Sequence, residues 1–148
     1  MFWESDRLIY RHTLMSDAEA LFRIFGDPRT QIFNPAGPHP DIELTRQFIE
    51  QRIINRRKNG YDDWAIIEKV NPDHIIGFGG VFASQFNGKL TNNLGYRFEP
   101  DAWRKGYATE LSRKALHYGF EVTENRRHYQ RKSPSFKKSA RESRDEIC

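Results

Sequence analysis

The run Trp103-Arg104-Lys105-Gly106-Tyr107-Ala108-Thr109-Glu110 constrains the fold more than any other stretch of the chain. Before it, Asn93-Leu94-Gly95-Tyr96-Arg97-Phe98 has the apolar, aromatic character of a strand, closed by Glu99-Pro100-Asp101. After it, Ala108, Leu111, Ala115 and Tyr118 recur at helical spacing, with Lys and Arg on the opposite face. The segment reads as strand, turn and helix, with Gly106 at the helix start. Such a turn aims unpaired backbone N–H groups and the positive end of the helix dipole at one point. An anion is the natural occupant, and Arg104 and Lys105 add mobile positive charge beside it. The dipole contributes only about 0.3–1 kcal/mol per charge, so tight binding requires several N–H bonds to one multiply charged group such as a pyrophosphate.

The wider pattern Leu94-Gly95-Tyr96, Pro100, Trp103 and Lys105-Gly106-Tyr107-Ala108-Thr109-Glu110 resembles the acetyl-CoA-binding segment of the GCN5-related N-acetyltransferases. Its Trp-x-Lys-Gly-Tyr-Ala form is similar to the branch holding the ribosomal-protein N-terminal-alanine acetyltransferases (RimJ/RimL-like). The resemblance implies that Trp103, Arg104, Lys105, Gly106, Tyr107, Ala108 and Thr109 cradle the CoA pyrophosphate. It also implies that the strand carrying Leu94, Gly95, Tyr96 and Arg97 pairs with the pantetheine arm. The implied fold is α/β (α+β), a mixed, mostly antiparallel sheet flanked by helices in the order β-α-α-β-β-β-α.

The length of 148 residues suits one domain with a real core, and 37% apolar and 14% aromatic residues argue against wholesale disorder. No apolar run approaches membrane-spanning length, and Met1–Asp6 lacks the basic start and apolar core of a signal peptide. A single cysteine, Cys148, excludes an internal disulfide and suits a reducing cytoplasm. The five histidines show no paired metal-ligand spacing, so no metal is expected. Residues 1–120 carry 16 Lys/Arg against 15 Asp/Glu, so most of the net +4 belongs to the tail. The near-neutral body weighs against nucleic acid as a partner.

Arg7–Arg11 reads as a first strand, and Ser16 with Glu19 as a capping box that starts a helix at Asp17. Gly26-Asp27-Pro28 stops that helix, and a three-proline loop spans Phe33–Pro40. In the family the resemblance points to, the corresponding helix–loop–helix walls the acceptor site. Asp41 is placed to cap a second helix whose Leu44, Phe48 and Ile53 face inward and whose Arg52, Arg56, Arg57 and Lys58 form a solvated face. Trp64–Ile67 is a strand, Asn71-Pro72-Asp73 a turn, Ile75–Phe82 the returning strand, and Asn87-Gly88 the next turn. Glycines inside the returning strand mark a bulge or a close backbone approach.

The resemblance covers roughly residues 4–120 and then stops. Residues 1–120 are expected to form the acetyl-CoA-binding domain, and 121–148 a basic polar tail unlike the family. The tail shows neither strand alternation nor an amphipathic stripe, so the closing strands are expected to be missing or aberrant. The sheet would then end in an unpaired edge, with part of the 108–120 helix uncovered and self-association favoured.

Amide formation from a thioester and an amine needs a neutral amine, a positioned carbonyl and donors for the oxyanion. Backbone N–H groups around Leu94–Arg97 are the expected donors. Relatives commonly carry an acidic residue just before Leu-Gly-Tyr, but here it is Asn93, which takes no proton at neutral pH. Asn93 and Tyr96 are the candidate catalytic residues, with Glu68, or Tyr96 through a water, as substitute base. Leaving an α-amine neutral at pH 7 costs about 1 kcal/mol, against roughly 4.6 kcal/mol for a lysine or polyamine amine. The expected activity is acetyl transfer from acetyl-CoA to a small-molecule or peptide amine, preferably an N-terminal α-amine or another weakly basic one. A non-catalytic module that binds CoA or self-associates is the alternative, and an RNA-binding role for the tail is the least favoured reading.

Overall fold

A computed structural model describes residues 2–130 and 136–138. Its first strand is one the periodicity did not reveal: Phe2–Glu4 (β1) folds back antiparallel on Leu8–His12 (β2) and sets Trp3 opposite Tyr10. Three residues are too few for alternation to register. There follow Ala18–Phe25 (α1), Ile42–Asn59 (α2), Trp64–Glu68 (β3), Asn71–Phe86 (β4), Lys89–Phe98 (β5), Tyr107–Gln130 (α3) and Phe136–Lys138 (β6). The strands pair in chain order, antiparallel throughout except for the parallel pair β5–β6. The expected β-α-α-β-β-β-α order is present, with β1 added before it and β6 after it.

The α2 helix begins where Asp41 Oδ1 accepts the Leu44 N–H at 3.0 Å, and ends where Gly60 N donates to Arg56 O at 2.7 Å. Its inward face differs from the expectation. Leu44 is exposed, while Ile49 is fully buried and Phe48 and Ile53 pack beside it. Nor is Arg52 part of a solvated face: it lies 3.6 Å from Asp62 Oδ1 and sits over the rings of Phe48 and Phe82. Two carboxylates arriving from before β3 draw it in, and sequence spacing alone does not bring them there. At α1 the cap is Asp17 rather than Ser16. The Asp17 carboxylate accepts the Leu14 N–H at 2.8 Å and a two-pronged contact from Arg11 of β2, so a tertiary partner overrides the local box.

The turn between β3 and β4 is Lys69–Val70 rather than Asn71–Asp73, because Glu68 pairs with Asn71 across an irregular register. Asn87 and Gly88, both at positive φ, close the β4–β5 hairpin as expected. Inside β4 the expected close approach is found: a Cβ on Gly79 would lie 2.6 Å from Tyr96 Cβ.

Alternation along the strands splits the core in two. Ala65, Ile67, Ile75 and Phe78 pack with Leu21, Ile24 and Phe25 of α1 and Ile49 of α2. Leu8, Tyr10, Trp64, Ile66, Leu94 and Tyr96 pack with Leu111, Ala115 and Tyr118 of α3. Trp3 covers this second cluster, stacked on Trp64 at 5.3 Å and edge-on to Tyr118 at 5.1 Å.

Two expectations about the end of the chain are corrected. The helix does not stop near Phe120 but runs to Gln130, through ten residues that include neither Gly nor Pro. The expected partial exposure of its apolar residues is found at the end of 108–120, where Phe120 is 54% exposed, while Leu111 and Ala115 are fully buried and Ala108 and Tyr118 nearly so. Nor is β5 left wholly unpaired, because Asn92, Asn93 and Leu94 pair with Phe136, Lys137 and Lys138. A parallel partner needs a long crossover, and α3 supplies it. Residues 131–135 and 139–148 of the expected tail lie outside the described residues.

Candidate functional site

Tyr96 and Phe98 fill the core from β5, and the chain leaves that strand through a short turn at Pro100–Ala102. The Trp103 indole fixes the exit by donating Nε1–H to Phe98 O at 2.9 Å. Arg104 and Gly106 then take φ of 64° and 81°, two left-handed positions in three residues that swing the chain into α3. The first helical bond runs from Glu110 N to Gly106 O at 3.1 Å. The N–H groups of Tyr107, Ala108 and Thr109 therefore have no acceptor inside the helix. Around the Cβ position of Gly106, Arg7 Nη2 at 3.4 Å is the only neighbour within 4 Å among the described residues. The helix start is thus open, rich in donors and flanked by the exposed Arg104 and Lys105.

A clamp from the first hairpin holds this turn. Arg7 donates from Nη1 to Lys105 O at 2.7 Å, from Nε to Glu110 Oε1 at 2.7 Å and from its backbone N to Glu110 Oε2 at 2.8 Å. Ser5 Oγ donates to the same carboxylate at 2.5 Å, and the Arg7 guanidinium lies 4.5 Å above the Tyr107 ring. Partial burial works against the Glu110 charge, but Ser5 and Arg7 outweigh it and hold the carboxyl below its usual range. On the other side, Tyr107 donates its hydroxyl to Glu68 Oε2 at 2.5 Å, and burial, with Glu68 beside it, lifts the phenol to about 12. Glu68, a sequence candidate for the base, is thereby engaged in anchoring the turn. Sequence reasoning gave Ser5 and Arg7 no site role, and their partners stand about a hundred residues away in the chain.

The strand residues divide by orientation. Leu94, Tyr96 and Arg97 are buried, so what they offer a ligand is backbone. Pairing with β6 covers Asn92–Leu94, and no strand among the described residues pairs with the outer edge of Gly95–Phe98. That edge leads to the α3 turn. It presents the N–H and C=O groups an extended, amide-bearing ligand arm needs. Asn93 lies within the stretch paired with β6, and its Nδ2 donates to Ser84 Oγ at 2.6 Å. No group of three His, Cys, Asp or Glu side chains suited to a metal occurs among the described residues.

An open, donor-rich helix start beside a half-open strand edge in a mixed sheet is an arrangement suited to a phosphate-bearing, arm-like ligand. A sequence model described as the acetyltransferase (GNAT) domain matches residues 7–141, and the chain belongs to that family. Among curated proteins it is 30% identical over 120 residues to the uncharacterised N-acetyltransferase YoaA of Bacillus subtilis, covering 80% of this chain and 66% of that protein. An uncharacterised N-acetyltransferase of Bacillus licheniformis, p20, is 28% identical over 78% of this chain and 64% of its own. The chain thus spans just under two thirds of these relatives. Among solved structures, a GNAT-family acetyltransferase from Bacillus anthracis superposes with a TM-score of 0.66 at 26% identity, over 84% of this chain and 69% of that one. RimL, the ribosomal L7/L12 alpha-N-protein acetyltransferase solved with coenzyme A, shares the fold, with a TM-score of 0.62 at 18% identity over 81% and 67% of the two chains.

Proposed function

We propose that this chain is an acetyl-CoA-dependent N-acetyltransferase acting on a primary amine, preferably a peptide or protein N-terminal α-amine or another weakly basic amine. The observation that carries it is the α3 start, where Tyr107, Ala108 and Thr109 N–H groups lack helical acceptors beside Arg104 and Lys105. These groups would hold the pyrophosphate, and the outer edge of Gly95–Arg97 would hold the pantetheine arm. Acetyl-CoA supplies the activated acyl group. Arg7 and Glu110 keep the turn in shape, while backbone N–H groups at Gly95–Arg97 are the candidate oxyanion donors. A RimJ/RimL-like acceptor class is supported by the motif form and by the fold shared with RimL, an alpha-N-protein acetyltransferase. The Asn93 amide carries no proton-accepting charge, which favours amines that cost little to neutralise.

Calorimetry with CoA, followed by acetylation of peptides with free α-amines against lysine side chains and polyamines, tests the reading. Binding without turnover would favour the non-catalytic alternative, and absence of CoA binding would end both. Two narrower proposals accompany it. A cytoplasmic setting suits a chain whose one cysteine is Cys148. Self-association would run through the edge strand β1, where Phe2 is exposed, and sedimentation would detect it.

A further inference from the structure

The first hairpin and α3 enclose a groove that opens beside the helix start. The Glu4–Arg7 segment lies along one flank of α3, and the two walls bound an open groove of about 540 Å³. That volume is within the range of pockets that take a small-molecule ligand. Gly106, Thr109, Arg113 and Lys114 line the α3 wall, so the groove begins at the turn whose N–H groups lack helical acceptors. Ser5, Asp6 and Arg7 line the wall opposite. Arg7 is where the two walls meet, because its half-exposed side chain crosses to Lys105 and Glu110.

A guanidinium carries its N–H donors in one rigid plane, on three nitrogens. In Arg7 two of the three are engaged: Nε donates to Glu110 Oε1 and Nη1 to Lys105 O, each at 2.7 Å. The plane is fixed from below as well, by the Tyr107 ring 4.5 Å away. A carboxylate beside an arginine commonly takes Nη2 along with Nε, in a two-pronged pair. Here it does not, because Ser5 Oγ and Arg7 N both donate to Glu110 Oε2. Nη2 therefore meets no hydrogen-bond acceptor among the described residues. It stands 3.4 Å from the Cβ position of Gly106, at the head of the groove. Glu110 balances the Arg7 charge, so the arginine adds little long-range field. What it adds is direction, the property that suits arginine to phosphate. A strut that merely tied Glu110 to Lys105 O would be complete with Nε and Nη1.

We propose that Arg7 is a direct ligand of the cosubstrate's pyrophosphate, donating from Nη2 to a phosphate oxygen beside the Tyr107–Thr109 N–H groups; this rests on the acetyl-CoA reading above. The phosphate site is then built from two distant parts of the chain, the backbone at the start of α3 and one side chain of the first hairpin. The groove supplies the room, since among the described residues nothing but Nη2 stands within 4 Å of the Gly106 Cβ position. Ser5 and Glu110 orient the fork without touching the ligand, and the Tyr107 ring holds its plane. A bound cosubstrate thereby fastens the first hairpin to α3.

The test uses the full chain with Arg7→Gln and Glu110→Gln, each titrated with CoA in a calorimeter and melted without ligand. Both variants break the same ion pair, so their Tm values should fall together. Their affinities should not. Arg7→Gln should weaken CoA by about 10-fold to 150-fold, the range for a hydrogen bond to a charged group. Glu110→Gln keeps Nη2, with Nη1 on Lys105 O and the ring beneath, and should lose at least about 5-fold less than Arg7→Gln. Equal losses in the two variants would mean that Arg7 only braces the turn, and would overturn the proposal. Should either variant unfold, the unaltered chain with ¹⁵N-labelled arginine decides. On addition of inorganic pyrophosphate the Arg7 Nη2 protons should move downfield and exchange more slowly with water, and protons that do not respond overturn the proposal. An unaltered chain that binds neither CoA nor pyrophosphate overturns it differently, by removing the acetyl-CoA reading itself.

Discussion

Replacing Gly106 with valine separates the cradle's role in folding from its role in binding. Gly106 sits at φ +81°, where a β-branched residue is a steric outlier, so strain of about 1–2 kcal/mol is expected. Packing adds little, because among the described residues a Cβ would meet only Arg7 Nη2, at 3.4 Å. The valine methyl groups would instead occupy the space in front of the Tyr107–Thr109 N–H groups. Losing one or two charge-assisted bonds of about 1.5–3 kcal/mol each lowers CoA affinity about 10-fold to 10⁴-fold. Gly60→Val is the matched control: φ is +87°, no described atom lies within 4 Å of its Cβ position, and the residue ends α2, far from α3 in sequence. Both variants should lower Tm by a few degrees, about 4 °C or less per kcal/mol in a chain of this size. Only Gly106→Val should weaken CoA in calorimetry. Equal CoA affinity in the two variants would refute the assignment of the pyrophosphate to this turn.

Trp64→Ala removes a fully buried ring that Trp3, Tyr10 and Tyr118 all touch, and should cost about 3–5 kcal/mol in urea unfolding. Arg52→Met removes the guanidinium that lies 3.6 Å from Asp62 Oδ1 and 3.9 Å from Asp63 Oδ1, both buried, and should destabilise by about 3–5 kcal/mol at pH 7. Glu110 is held below its usual range in the folded chain, so its contribution is present above the unfolded value near pH 4.3 and is lost as pH falls through the lower folded value. The Tm gap between the unaltered chain and Glu110→Gln should accordingly be full at pH 7 and close below about pH 4. Asp41→Ala removes the cap on Leu44 N and should cost about 1 kcal/mol, read as a shifted urea midpoint with unchanged m.

What the sequence determined by itself was local. The turn into α3, the Asp41 cap, the Asn87-Gly88 hairpin and the order of the central elements all follow from φ/ψ sterics, capping chemistry and hydrophobic period. These act over a few residues and are written in adjacent letters. Tertiary structure decided whatever depends on strand register. Arg7 reaches Glu110 across 103 residues because β2 runs beside α3's first turn, and no pattern near Arg7 announces its partner. Arg52 reads as one more cation on a basic helix until the segment before β3 delivers two carboxylates beneath it. β1 and β6, three residues each, are too short to carry a period and exist only because a neighbouring strand offers an edge. The donor-rich turn into α3 was therefore legible in one dimension. The buried acid pair was not, because burial, which gives a carboxylate its chemistry, is a property of the assembled fold.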